Sequence, residues 1–514
     1  MKNNDDLFQL IKTLSEEEKH FFSVYASRVS AKGDSNYVRL FTAIDQQDVY
    51  DENIIRKKFQ GQSIERFLAS SKHELYGVIL RSIHAQYEES TAEARLRQLL
   101  HYAEVLAAKG LEKMARQQVA EAKRLAEKHE LLAYLPEILH LEFAYMSGED
   151  REQQEAHSER FLKEYQDVIK KLENLAMYER LNKQVRFITQ NIAYGHSTDH
   201  SAIDDFLRLP EIKDETGPKS IMARYFFHQI HALCAFNKRD FEGTYVQSKK
   251  VFEMSQQYPD ILQHDTSRYI SLLHHYSNAC SATGRLDEMR SVCKWLRAVK
   301  TNDQRLIARI FQYAVNAEYN ILLVEGNHQK AEVLAAEVEK KIATSQPHME
   351  RVFILAICGQ TAYVYYLLEQ YNKSLRWLNE ALNQTQVGHR DDITLSLRIL
   401  EILLHYELNN HDLVDYRLKS LLRYLSPKSE RFVAEITFIN GIRKITGVTS
   451  REQLKALLVK TREAVCNVFE KAPATKRTLA HFNLLAWLNG KIDGVPMRDR
   501  LVFREEIKTE GEKA

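Results

Sequence analysis

The chain has 514 residues, 44% of them apolar and 28% charged, with a net formal charge of +2. That length exceeds one compact core, so several domains or a repeat array are expected, and the balanced charge gives no general affinity for polyanions. Glycine and proline number only 17 and 8, about 3% and 2% of the chain against the usual roughly 7% and 5%, which argues against an all-β sandwich and for helices joined by short loops.

In chain order, residues 1–90 read as an N-terminal helical bundle or cap with about four helices, 4–13, 15–30, 34–47 and 63–89. Ser15 and Glu18 have capping-box spacing, and Asp51 is a second helix start. These helices carry both signs of charge and no basic stripe, so a cap is expected ahead of a DNA-reading module. A bundle that engages a response regulator is the remaining option. Asp5 and Asp6 stand where a signal peptide needs an apolar run. The longest apolar run, Ala362 to Leu368, falls far short of the ~18 residues that span a bilayer. The five cysteines are scattered without a C-x-x-C pair. A cytoplasmic protein with no membrane association is expected.

Residues 91–430 repeat. A helical pattern, a turn and a second helical pattern recur, and the turn slots fall at Gly110, Arg239, Gly284, Gly326, Glu369 and Asn410. Successive spacings are 129, 45, 42, 43 and 41 residues. The first is three periods, so two further units are expected between residues 130 and 224, from the patterns at 131–146, 158–176, 178–194 and 202–210. Small residues at Ala103, Ala232, Ser277 and Ala362 let the first helix of a pair approach its neighbour, and Ala115, Ala331 and Ser374 do so in the second. One pair cannot bury its apolar face alone, so stacking on the next pair must complete the core.

The order small residue, large residue, Gly, Ala, Ala, as in Ala103, Leu106, Gly110, Ala115 and Ala122, resembles the tetratricopeptide repeat. The period near 43 is longer than that repeat's 34, and the opening Trp is missing. Such units are TPR-like. The end segments, 13-TLSEEEKHFFSVYAS and 480-AHFNLLAWLNGKIDG among them, resemble an uncharacterised family of bacterial TPR-like proteins best represented in Bacteroidetes. The resemblance implies an all-α, right-handed α-solenoid of about eight helix pairs with helical caps at both ends. It implies no activity.

Residues 431–514 read as a C-terminal helical cap, with Trp487 plugging the last apolar layer and a frayed tail from residue 504. Residues 411–480 hold 14 Lys or Arg against 7 Asp or Glu, including Arg417, Lys419, Arg423, Lys428, Arg431, Arg443 and Lys444. Solvated helix faces explain this run. The alternative is a basic surface for an acidic protein or for RNA.

No phosphate-cradling glycine loop, G-x-S-x-G elbow or H-E-x-x-H pair occurs. His228, His231, His274, His275 and Cys280 lie on neighbouring helix patterns, but no carboxylate is tied to them by spacing. His196 and His200 flank a loop-like segment and make no better case. No enzyme, metal or cofactor is expected. In TPR-like arrays the first helix of each pair lines a concave groove. That resemblance places Ser271, His274, Asn278 and Ser281 on the groove wall, then Tyr313, Asn316, Asn320 and Leu323, then Gly359, Tyr363 and Tyr366. The amides offer a donor and an acceptor each, suited to gripping the backbone of an extended peptide. The tyrosines add rigid amphipathic surface. The same slots hold Phe226, Gln229, Leu233 and Phe236 in one flanking unit and Leu397, Leu400 and Leu404 in the other, so either the end regions cover them or the repeat phase differs there. The expected function is a non-enzymatic scaffold for a protein or peptide, with a peptide-responsive regulator and an RNA-associated factor as alternatives. Nucleic acid is the less expected partner.

Overall fold

A computed structural model describes residues 6–29, 36–88, 91–145, 151–193, 201–345, 349, 351–383, 391–426, 432–471 and 483–501. All secondary structure among them is helical. The chain divides into two compact units, Met1–Leu172 and Glu173–Ala514.

The first unit opens with α1 (Asp6–Thr13), α2 (Glu16–Val29), α3 (Asn36–Asp45), α4 (Glu52–Lys58), α5 (Ser63–Arg66) and α6 (Leu68–Tyr87) around a core of Ile11, Phe22, Ile44, Leu75 and Ile79. Two capping signals start helices here. Ser15 Oγ accepts the Glu18 N–H while Glu18 accepts the Ser15 N–H at 2.7 Å, and the Asp51 carboxylate accepts from Asn53 ahead of α4. Six helices stand where four were expected. The seven residues of α4 are too few to display a period, and the expected helix 63–89 is interrupted at Phe67, whose φ of −121° and ψ of 36° lie outside the helical region.

The helices α7 (Ala92–Ala108) and α8 (Glu112–Lys128) form a hairpin, followed by α9 (Leu135–Ala144) and α10 (Arg151–Ala193). Here the expected pair of regular units gives way. The stretches at 158–176 and 178–193 do not form two helices but belong to one helix of 43 residues, about 65 Å long. The stretch 171-KLENLAMYERLNK holds no glycine, proline or capping residue in a position to stop it. The division between the two units falls inside this helix.

The second unit continues with α11 (Ser201–Leu207), α12 (Ile221–Asn237), α13 (Phe241–Gln257), α14 (Pro259–Leu262), α15 (Thr266–Thr283), α16 (Leu286–Ala298), α17 (Gln304–Val324), α18 (His328–Ser345), α19 (Arg351–Leu367), α20 (Tyr371–Asn383), α21 (Asp391–Glu407) and α22 (His411–Leu425). It closes with α23 (Val433–Ile445), α24 (Arg451–Lys471) and α25 (Leu484–Asp493). The pairs α12/α13, α15/α16, α17/α18, α19/α20 and α21/α22 pack internally, and α15, α17, α19 and α21 also pack each on the next.

The turn slots explain the hairpins. Gly110, Arg239, Gly284, Gly326 and Glu369 all have positive φ, as expected of a left-handed helix stop, while the sixth such residue is Asn409, one before the expected Asn410. After each, the next N–H reaches the carbonyl five residues back at 2.9 Å, from Leu111 to Leu106 through to Asn410 to His405. This is the Schellman closure, and it satisfies carbonyls that the helix end would leave open. The small-residue slots pack as their size predicts. Ala103, Ser277 and Ala362 are buried in first helices, as are Ala115, Ala331 and Ser374 in second helices, and Ser374 Oγ donates to the Ala362 carbonyl at 2.6 Å. Ala232 is only half-buried.

Candidate functional site

Asp265 caps α15 by accepting the Arg268 N–H at 3.0 Å, and Asp303 caps α17 by accepting the Arg305 N–H at 2.8 Å. The two helices also end alike, at Gly284 and just before Gly326. Within these limits Ser267, Ser271, His274 and Asn278 follow helical spacing along one stripe of α15, and Gln312, Asn316 and Asn320 along one stripe of α17.

The stripes meet. The His274 ring stacks on Tyr313 with centroids 3.8 Å apart and planes 8° from parallel. Asn278 Nδ2 lies 3.1 Å from His274 Nε2, so the ring nitrogen accepts. Asn316 Nδ2 donates to Asn278 Oδ1 at 3.5 Å, and Gln360 Nε2 of α19 donates to Asn316 Oδ1 at 3.0 Å and to Asn320 Oδ1 at 3.5 Å. A row of four amides thus crosses three successive first helices. Its hydrogen-bonding capacity is not used up, because Gln360 Oε1 and Gln312 Nε2 are buried with no partner among the described residues. Burial pushes the His274 pKa down to about 3 and that of His275 to about 4, so both rings are neutral near pH 7.

Sequence reasoning missed Gln312 and Gln360. Gln312 stands four residues before Asn316, a legible signal. Gln360 lies three residues from Tyr363 and is placed by the packing of α19 on α17.

Other residues expected on the groove wall are placed differently. Tyr363 accepts a hydrogen bond from the Asn483 backbone. Tyr366 is buried, accepts from Trp487 Nε1 at 2.8 Å and donates to Glu407 at 3.1 Å. Lys491 pairs with the same Glu407 at 2.6 Å. The chain's own segment 483–491 therefore covers these two tyrosines and removes them from an open wall. Gly359 is likewise a contact between helices, since a Cβ there would stand 2.8 Å from Leu397. Leu397, Leu400 and Leu404 are buried in the core that holds Trp487, whereas Phe236 stays 53% exposed.

Of the basic residues, Arg417 has a local partner. Arg417 pairs at 3.1 Å with Glu401, which is buried. Arg423 ends α22, and Arg443 and Lys444 end α23, where positive charge opposes the helix dipole. Lys419 is exposed. Lys428, Arg431, His196, His200 and the tail from residue 504 lie outside the described residues. His228 contacts Gln247 at 2.8 Å, and His231 donates to the Ile212 carbonyl at 2.8 Å. Burial pushes the thiols of Cys234, Cys280, Cys293 and Cys358 up to about 12, so they stay protonated near neutral pH. Among the described residues no three His, Cys, Asp or Glu side chains are placed to share a metal ion, and no helix is long and apolar enough to cross a membrane.

No family model matches the chain, and neither a curated protein nor a solved structure is found to be similar to it.

Proposed function

We propose that this protein is a non-enzymatic, cytoplasmic scaffold, a TPR-like α-solenoid that holds a peptide or an extended segment of a protein along the first helices of its pairs. The repeated Schellman turns, the buried small-residue slots and the serial packing of α15, α17, α19 and α21 support the solenoid reading. The observation that carries the binding reading is the amide row, Asn278, Asn316, Gln360 and Asn320, with two buried amide atoms still lacking partners beside it. An extended peptide backbone presents alternating N–H and C=O groups, and amide side chains complement both without demanding one side-chain sequence.

The test is capture from a nuclease-treated extract of the native host on immobilised wild type and on the Asn278→Ala/Asn320→Ala variant. A stoichiometric protein retained by wild type and lost by the variant is the expected result. Equal retention by both sinks the groove assignment, and recovery only from untreated extract moves the partner to nucleic acid.

A further inference from the structure

Measured back from the turns, the first helices share a register. Ten residues before the turn stand Gln229, His274 and Asn316, and six before it stand Asn278, Asn320 and Tyr363. The two outer members of this set are held by the chain itself. On α12, Gln229 Oε1 accepts from Asn182 Nδ2 of α10 at 3.0 Å, while Gln229 Nε2 donates to Tyr225 at 2.9 Å. Both amide atoms are engaged, and the residue is 8% exposed. Arg186 fixes Asn182 in turn, donating to its Oδ1 at 2.9 Å.

On α19, Tyr363 accepts from the Asn483 backbone, and Tyr366 accepts from Trp487. The same C-terminal stretch is fastened further along, by Lys491 to Glu407 of α21 at 2.6 Å and by Arg498 to the Leu367 carbonyl at 3.1 Å. Trp487 is buried in one core with Leu397, Leu400 and Leu404, so this wall is part of the folded unit. Between the two walls the slots differ. Asn278 is exposed, and Asn316, Asn320 and Gln360 are half-buried. Gln360 Oε1 and Gln312 Nε2 have no partner among the described residues.

Packed helices stand about 8–10 Å apart. The amide row from α15 through α17 to α19 therefore crosses roughly 16–20 Å, the reach of about five or six residues of extended chain at ~3.3 Å each. We propose that the partner is a short linear segment, about six residues lying extended across α15, α17 and α19, with its length limited by α10 on one side and by α25 on the other. The proposal rests on the peptide-groove reading above and adds the size of what the groove takes. A longer tract gains nothing, because its next contacts would fall where Asn182 and the segment 483–491 already sit. The row carries no formal charge, so the segment needs none.

The experiment is calorimetric titration of the full chain with end-capped peptides of alternating Ser and Thr, three, six, nine and fifteen residues long. Binding enthalpy is the readout, because the several registers open to a long peptide raise its affinity without changing the contacts made in each. With wild type the enthalpy about doubles from three residues to six, as more amides are engaged, and then stays level to fifteen. An enthalpy that keeps growing from six residues to fifteen overturns the length limit and leaves the groove reading standing. The Asn278→Ala/Asn320→Ala variant, checked for unchanged helicity, loses binding at every length. Binding by that variant equal to wild type, or no binding of any peptide by wild type, overturns the groove reading and this proposal together.

Discussion

Glu369 holds φ at +58° in a turn where three sister units place glycine. A side chain there costs about 1–2 kcal/mol of backbone strain. Glu369→Gly is therefore expected to raise stability by about 1 kcal/mol in urea unfolding, less a few tenths for its exposed contact with Arg498. Gly284→Ala should do the opposite by a similar ~1 kcal/mol, and since nothing lies within 4 Å of the added Cβ, the loss reads backbone conformation alone. These turn residues were legible in the sequence because a positive φ selects few side chains. His274 and His275 make a pH prediction at the same scale. Their folded pKa values lie below the ordinary histidine value, so protonation favours the unfolded chain. Stability is full above pH ~6.5 and falls as the pH drops below it, by at most about 1.4 kcal/mol per unit for each ring. Urea midpoints at pH 7 and pH 5 check this, with a smaller difference expected for His274→Asn. The amides were legible only in part. Asn278 and Asn320 share a slot in adjacent repeats, but Gln360 meets them through the way α19 seats on α17, which no single helix pattern encodes.

At the scale of elements, α25 acts as the closing piece of its unit. Trp487 is buried, makes edge contacts with Tyr406 and Phe438, and donates to Tyr366. Trp487→Ala should cost about 3–5 kcal/mol, the range for a large buried aromatic. Trp487→Phe, which keeps most of the packing and leaves Tyr366 without its donor, should cost about 1–3 kcal/mol. Thermal melts of the two variants give the comparison, and a Trp487→Phe variant as stable as wild type would contradict the hydrogen bond's role. Gly441 makes a similar point for α23 against α24. A Cβ there would overlap Thr461, so Gly441→Ala should destabilise by about 1–3 kcal/mol. The sequence named Trp487 as a plug because a large aromatic near a chain end has few other uses. It missed that the same helix takes Tyr363 and Tyr366 out of reach, because that depends on a long-range return of the chain. It misread α10 for a different reason. The period near 43 persisted as arithmetic across residues 130–224, while residues 151–193, past the stop at Glu130, hold none of the positive-φ stops that cut other units into hairpins.

At the scale of the molecule, the two units obey different rules. The first holds a bundle of short helices around Phe22, Ile44 and Leu75 together with the hairpin α7/α8. The second is dominated by hairpins that each pack on the next, so its stability should be close to a sum of hairpins and their interfaces. Excising residues 285–326, one period between two turn glycines, is expected to leave a folded helical protein with a lower midpoint by circular dichroism. Loss of cooperative melting would show that the hairpins are not modular.

The central claim is that the amide row grips a partner's backbone, and one titration addresses it. The segment captured from the native host is synthesised and titrated calorimetrically into wild type and into an Asn278→Ala/Asn316→Ala/Gln360→Ala variant of unchanged helicity. Replacing each residue of the segment with alanine in turn separates side-chain from backbone recognition. The account predicts that the variant binds about a hundredfold more weakly, roughly 1 kcal/mol for each lost amide, while most single alanines in the segment change little. Equal affinity for wild type and variant would contradict it.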